Sequence, residues 1–117
     1  MIHTKRVYED PGAQDGARYL VERLWPRGVR KDDMPMDAWL KDVSPSPALR
    51  EWYGHDVAKW DEFRAQYLAE LGANPEAWKP LLEAARRGDV TLLYSARDTE
   101  HNSALVLKQY LEGRLGH

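Results

Sequence analysis

Two short clusters hold most of the side chains that could do chemistry. The first is Ser95-Ala96-Arg97-Asp98, followed by Thr99-Glu100-His101-Asn102. It follows the apolar run Val90-Thr91-Leu92-Leu93-Tyr94, which reads as a buried strand. Strand, short polar loop and helix start form the arrangement in which α/β proteins hold anions, because free N–H groups and the positive helix end face the loop. Arg97 supplies a forked donor set and Ser95 a hydroxyl. Tyr94 offers a wall and Asn102 an orienting hydrogen bond. His101 is the candidate catalytic group, since imidazole is suited to proton transfer near neutral pH. The competing explanation is structural: Asp98 or Thr99 caps the helix and Glu100 complements its dipole. Capping alone leaves Arg97 and His101 beside a positive helix end, where an anion would relieve them.

The second cluster is Arg23-Leu24-Trp25-Pro26-Arg27-Gly28. Arg23 and Arg27 flank a tight turn at a strand end and could clamp a phosphate or carboxylate. Trp25 could stack on a flat group or on an arginine. The structural alternative pairs these arginines with Glu22, Asp32 or Asp33. A shared pocket between loops 23–28 and 95–102 requires both at one edge of the sheet.

The elements that must position these clusters follow from local signals. Residues 2–8 and 19–24 read as strands, separated by the turn chemistry of Glu9-Asp10-Pro11-Gly12 and ending at Trp25-Pro26. Segment 37–43 is ambiguous between a strand and helical turns, and the strand is preferred. Ser46-Pro47 opens a helix that ends near Gly54. Asp56 caps a longer one, with Trp60, Phe63, Tyr67 and Leu71 on one face and Gly72 as its end. Asn74-Pro75 opens a third, which buries Trp78, Leu81, Leu82 and Ala85; Pro80 should kink it or split off its first turn. A last helix over about 99–114 buries Ala104, Leu107, Lys108 (by its stem), Leu111 and Leu115, and Val106 and Tyr110 widen that face. Strands alternating with helices specify one α/β layer sandwich over 1–117, with a short, partly parallel sheet and helices on its faces. If segments 37–43 and 90–95 share a sheet, the three helices between them make a right-handed parallel crossover.

Composition narrows the function classes. The 117 residues carry 17 basic and 19 acidic side chains, a formal net charge of −2 that argues against a general nucleic-acid binder. There is no cysteine, which excludes disulfides, thiol nucleophiles and cysteine-based metal centres. No histidine pair has helical metal-ligand spacing, so no metal or other cofactor is expected. His55 reads as a loop residue beside a helix cap, and His3 and His117 as solvated near the termini. Walker, dinucleotide and Gly-x-Ser-x-Gly patterns are absent. No stretch is apolar enough for a membrane span, and Met1–Arg6 lacks a secretory core, so a cytoplasmic protein is the expectation. Five Trp and six Tyr against one Phe put polar tips on large apolar bodies, most of them core.

Tyr19 through Gly28, the segment Asp37 through Ser46, and Leu92-Leu93-Tyr94 with His101-Asn102 together resemble the YeaO-like family of small bacterial proteins. That group is a cysteine-free branch of the larger domain-of-unknown-function family 488. The resemblance spans nearly the whole chain. It implies a Rossmann-like α/β domain and no established activity. In other branches of the larger family a cysteine follows the equivalent strand and Cys-His-Arg opens the next helix. Here Tyr94 and His101-Asn102-Ser103 stand in that region, so no thiol chemistry carries over.

The expectation is a small anionic, phosphate-bearing ligand held by Arg23, Arg27 and Arg97 between walls of Trp25 and Tyr94. Two alternatives remain open. One is a hydrolase or transferase on a phosphorylated substrate, with Ser95, His101 or Asp98 as reacting groups. The other is a regulatory module that binds protein or nucleic acid. The sequence sets no oligomeric state.

Overall fold

The computed structural model describes residues 1–115. Residues 116–117, and with them the expectation for His117, lie outside the described residues. Four strands form one sheet: β1 (Ile2–Arg6), β2 (Ala17–Leu20), β3 (Ala38–Trp39) and β4 (Val90–Tyr94). Their order is β1-β4-β2-β3, and every pairing is parallel. The strand latest in the chain therefore lies inside the sheet. Its register sets Ile2 against Val90 and Arg6 against Tyr94 on one side, and Ala17 against Val90 and Leu20 against Leu93 on the other. This position explains the sequence of β4. A strand flanked on both edges and covered on both faces is buried at every residue, and all five are buried here.

The helices are α1 (Pro47–Tyr53), α2 (Trp60–Ala73), α3 (Pro75–Arg87) and α4 (Ser103–Arg114). α1 begins and ends where its signals place it. The Ser46 hydroxyl accepts from the Leu49 N–H at 3.2 Å, and Gly54 takes the left-handed conformation that closes the helix. Glu70 of α2 braces that cap, accepting from the Ser46 N–H at 2.9 Å and from its hydroxyl at 2.6 Å. Asp56 caps a 3-10 turn over Val57–Lys59, and α2 starts only after it. Phe63, Tyr67 and Leu71 of the expected stripe are buried, and Trp60 packs at the edge of the core. Gly72 does not end α2, which runs to Ala73; the following Asn74-Pro75 stops it instead. α3 is continuous through Pro80. Pro80 and Glu76 are both exposed, so the Glu76 carbonyl left without a helical donor is open to water.

Two interiors lie on opposite faces of the sheet. Alternation along the strands sends Ile2, Val90, Leu92 and Tyr94 toward the helices, into the larger core with Tyr67, Leu81, Leu107 and Leu111. Each fully buried leucine there contributes about 2 kcal/mol. Leu20 and Leu93 point the other way, into a smaller cluster with Val7 and Met34, covered by Trp25, Val29, Met36 and Trp39. Connecting segments, rather than helices, build that second cover. One of them, residues 7–16, returns the chain from the end of β1 to the start of β2.

That return is held by a charged node. The Asp15 carboxylate accepts from Lys5 Nζ at 2.8 Å, from the Gly12 N–H at 3.0 Å and from the Arg18 guanidinium. The Asp15 carbonyl accepts from the Thr91 hydroxyl at 2.7 Å, which ties the segment to β4. Arg18 Nε also donates to the Pro35 carbonyl at 2.6 Å. Both Asp15 and Arg18 are buried.

Three expected elements differ in extent, the first being β1, which is Ile2–Arg6 and not 2–8. The second strand is Ala17–Leu20, not 19–24, because the chain leaves the ladder after Val21 donates to the Leu93 carbonyl. Segment 37–43 is a two-residue strand followed by a 3-10 turn over Lys41–Val43. β3 and β4 share the sheet but are separated by β2. No helix among the described residues is long and apolar enough to cross a membrane.

Candidate functional site

The loop after β4 is organised by two carboxylates that the protein supplies itself. Glu22, just past β2, reaches across to the end of β4. Its Oε1 accepts from the Ser95 N–H at 2.7 Å and from the Ser95 hydroxyl at 2.9 Å. The strand-end amide that would greet an anion is thus already engaged. Asp98 does the same one turn later: its Oδ1 accepts from the N–H groups of Glu100 and His101, both at 2.9 Å. Its Oδ2 lies 3.0 Å from His101 Nδ1. The Glu100 N–H, ahead of the His101 N–H and ring, holds the Asp98 carboxyl below the usual carboxylate range.

This turn corrects the expected start of the last helix. Asp98 caps a turn, not the helix, and residues 99–102 remain outside it. Asn102 is the true cap, accepting from the Leu105 N–H at 2.8 Å, while its own amide donates to the Asp98 carbonyl at 3.0 Å. His101 and Asn102 therefore precede the first turn of α4. Replacing Asn102 by alanine is expected to cost about 1 kcal/mol of stability. A denaturant midpoint unchanged from wild type would contradict the cap.

Beside this loop lies a cavity of about 560 Å³. The loop contributes Ser95, Arg97, Asp98, His101 and Asn102; Glu22 comes from the end of β2. The opposite wall comes from α1 (Arg50 and Tyr53), the turn after it (His55) and α2 (Phe63). The Tyr53 and Phe63 rings stack with centroids 4.4 Å apart and form the apolar side. Burial, then Asp98 and Asp56, push the Tyr53 hydroxyl above its ordinary pKa. His101 sets its ring at 90° to Trp60, with centroids 5.2 Å apart. His55 lies at φ 60°, in the left-handed region, directly after the equally left-handed Gly54. Arg50 and Arg97 are exposed at the mouth, and neither guanidinium has a hydrogen bond or ion pair among the described residues.

The residues of the 23–28 turn do not join this cavity. Arg23 lines a second one, of about 310 Å³, and donates to the Ser44 and Pro45 carbonyls, both at 3.4 Å. Trp25 turns to the far face of the sheet, donates to the Val29 carbonyl at 2.7 Å and packs edge-on against Trp39. Arg27 is exposed, and its carbonyl accepts from the Tyr8 hydroxyl at 3.0 Å. Tyr94 is core rather than wall, because the alternation of β4 aims it under the helices. The shared-pocket expectation is corrected on this point. The strands are neighbours, but the chain bends after Glu22 and sends Arg23 and Trp25 apart.

Glu22, Arg50, Tyr53, His55 and Phe63 are the cavity residues that sequence reasoning missed as a site. Arg50 and Tyr53 stand three apart on α1 and so share a face, which is a usable local signal. Nothing local places the end of α1 against the loop after β4.

The arrangement offers unpaired cationic donors at the mouth, an apolar wall and two carboxylates. The Ser95 hydroxyl donates to Glu22, and no hydrogen bond joins Ser95 to His101 among the described residues. No three His, Asp or Glu side chains gather as a metal-ligand set among the described residues.

Comparison with known proteins bears on the same question. A family model described as the inactive DUF488-N3 subclade matches residues 1–117. The chain is 46% identical over 110 residues to the uncharacterized protein YeaO of Escherichia coli (strain K12), covering 94% of this chain and 96% of that protein. It is 43% identical over 113 residues to the uncharacterized protein Rv3073c of Mycobacterium tuberculosis (strain H37Rv), covering 97% and 95%. The same figures hold for the uncharacterized protein Mb3100c of Mycobacterium bovis. No solved structure matches.

Proposed function

We propose a binding rather than a catalytic function for this chain, which belongs to the inactive DUF488-N3 subclade. In this reading it is a cytoplasmic protein whose cavity beside the 95–102 loop takes a small ligand with an anionic group, phosphate for preference. One observation carries the proposal: Arg50 and Arg97 border a concave, partly apolar cavity and have no protein acceptor among the described residues. Guanidinium groups on such a wall are suited to a forked grip on phosphate or carboxylate. Ser95 and Asn102 complete the loop side, and His101 adds a polar ring.

The grip differs from a phosphate-cradling loop. The amides of Ser95, Glu100 and His101 are spent on Glu22 and Asp98, so the anion is held by side chains. The description of the subclade as inactive supports binding without turnover.

Titration with inorganic phosphate and ethyl phosphate, followed by amide chemical shifts, tests the reading. Arg97→Ala and Arg50→Ala are each expected to weaken binding by about tenfold, the scale of one charge-assisted contact. Arg23→Ala, in the other cavity, is expected to leave it unchanged. Weakening by Arg23→Ala alone would move the site to the 23–28 turn and refute this placement.

A further inference from the structure

The cavity holds charges of both signs that do not pair with each other. Asp98 is fully engaged: Oδ1 takes two backbone N–H groups and Oδ2 the His101 ring. Glu22 is not. Its Oε1 accepts both bonds from Ser95, while its Oε2 has no donor among the described residues. A carboxylate oxygen retains acceptor capacity, and this one belongs to a half-buried residue on the cavity wall. Arg50 and Arg97 border the same cavity, and neither forms an ion pair with Glu22.

From this we infer that the ligand is a zwitterion: a protonated amine set against Glu22 Oε2, and a carboxylate or phosphate against Arg50 and Arg97. The inference rests on the anion-binding reading above and extends it. A purely anionic ligand would cover the arginines but leave Glu22 Oε2 under the ligand without a donor, at a desolvation cost. A purely cationic ligand would leave the arginines unanswered. A compact molecule carrying both groups satisfies each wall at once. The stacked Tyr53 and Phe63 rings supply the surface for its apolar body. A cavity of about 560 Å³ lies within the range that holds small metabolites. Amino acids with an apolar side chain and aminoalkyl phosphates are the two chemical sources of such a ligand.

Matched pairs separate these sources and isolate the amine. Phenylalanine is compared with 3-phenylpropionate, and phosphoethanolamine with ethyl phosphate, by chemical-shift titration of the wild-type protein. In whichever pair carries the right acid group, the amine-bearing member is expected to bind about tenfold more tightly. Glu22→Gln keeps an Oε1 that accepts from Ser95 and removes the charge, so that advantage should shrink to about twofold or less in the variant. The wild-type comparison decides the matter even if the variant folds poorly. Equal binding within both pairs would overturn the zwitterion and leave anion binding standing. No perturbation by any of the four compounds, nor by inorganic phosphate, would overturn both readings.

Discussion

Gly16→Ala is expected to destabilise the protein by at least ~3 kcal/mol, read as a lowered urea midpoint with an unchanged slope. Two separate costs act there. Gly16 has φ 64°, a left-handed conformation that an alanine adopts at a cost of about 1 kcal/mol. A β-carbon on Gly16 would also lie 2.0 Å from the Asp89 carbonyl oxygen, which is backbone and cannot swing away. That oxygen accepts from the Ala17 N–H at 2.9 Å, so any retreat opens the start of β2. Gly88→Ala is the control. Its β-carbon meets nothing within 4 Å and its φ of 170° is extended backbone, so it should fall within about 0.5 kcal/mol of wild type. A Gly16→Ala variant as stable as the control would show that the 7–16 segment does not cross Asp89 this closely.

Asp15→Ala is the second large effect, at about 3–5 kcal/mol, because it leaves buried Arg18 and half-buried Lys5 without their common acceptor. The same node makes stability depend on acid. Burial pushes the Asp15 carboxyl up, but hydrogen bonds from Lys5, the Gly12 N–H and Arg18 outweigh it and bring its pKa from 3.8 to about 2. A carboxyl lowered in the folded state binds its proton more readily in the unfolded one. Its contribution is complete above pH 3.8 and is lost as pH falls toward about 2. Stability of the wild type should therefore fall across that window, and Asp15→Asn should flatten the fall while lowering stability at neutral pH. Parallel acid profiles for the two proteins would mean that Asp15 is not the group titrating.

The sequence is most readable where structure is local. Ser46, Pro47 and Gly54 bound α1 because capping chemistry acts within a few residues. The apolar run 90–94 reads as a buried strand from its composition, and all five residues are buried. The start of α4 was less legible, since Asp98 and Asn102 are both good caps. The choice between them rests on where the loop must turn to let Asp98 meet the His101 ring. Of the candidate site, Ser95, Arg97, His101 and Asn102 line one cavity, as one segment of chain would place them. Arg23, Trp25 and Arg27 do not, because a bend after Glu22 separates them. By sequence Glu22 is a possible partner for arginine; in the fold it fastens β2 to β4 through Ser95. Arg50 reaches the cavity through helix packing, which no short-range pattern encodes.

The interior position of β4 also constrains the order in which this protein can come together. β1 and β2 make no ladder with each other: β1 pairs with residues 90–94 alone, and β2 is joined to it only through them. During synthesis the amino-terminal strands emerge first and must wait, with Ile2 and Leu20 uncovered, while three helices are made. Native contacts so far apart in the chain close slowly, and waiting strands are exposed to aggregation. A ribosome that pauses before Val90 thus leaves a chain whose helices can form but whose sheet has no centre. In that state the chain offers unpaired strand edges to chaperones and to other copies of itself until residues 90–94 arrive to join β1 to β2.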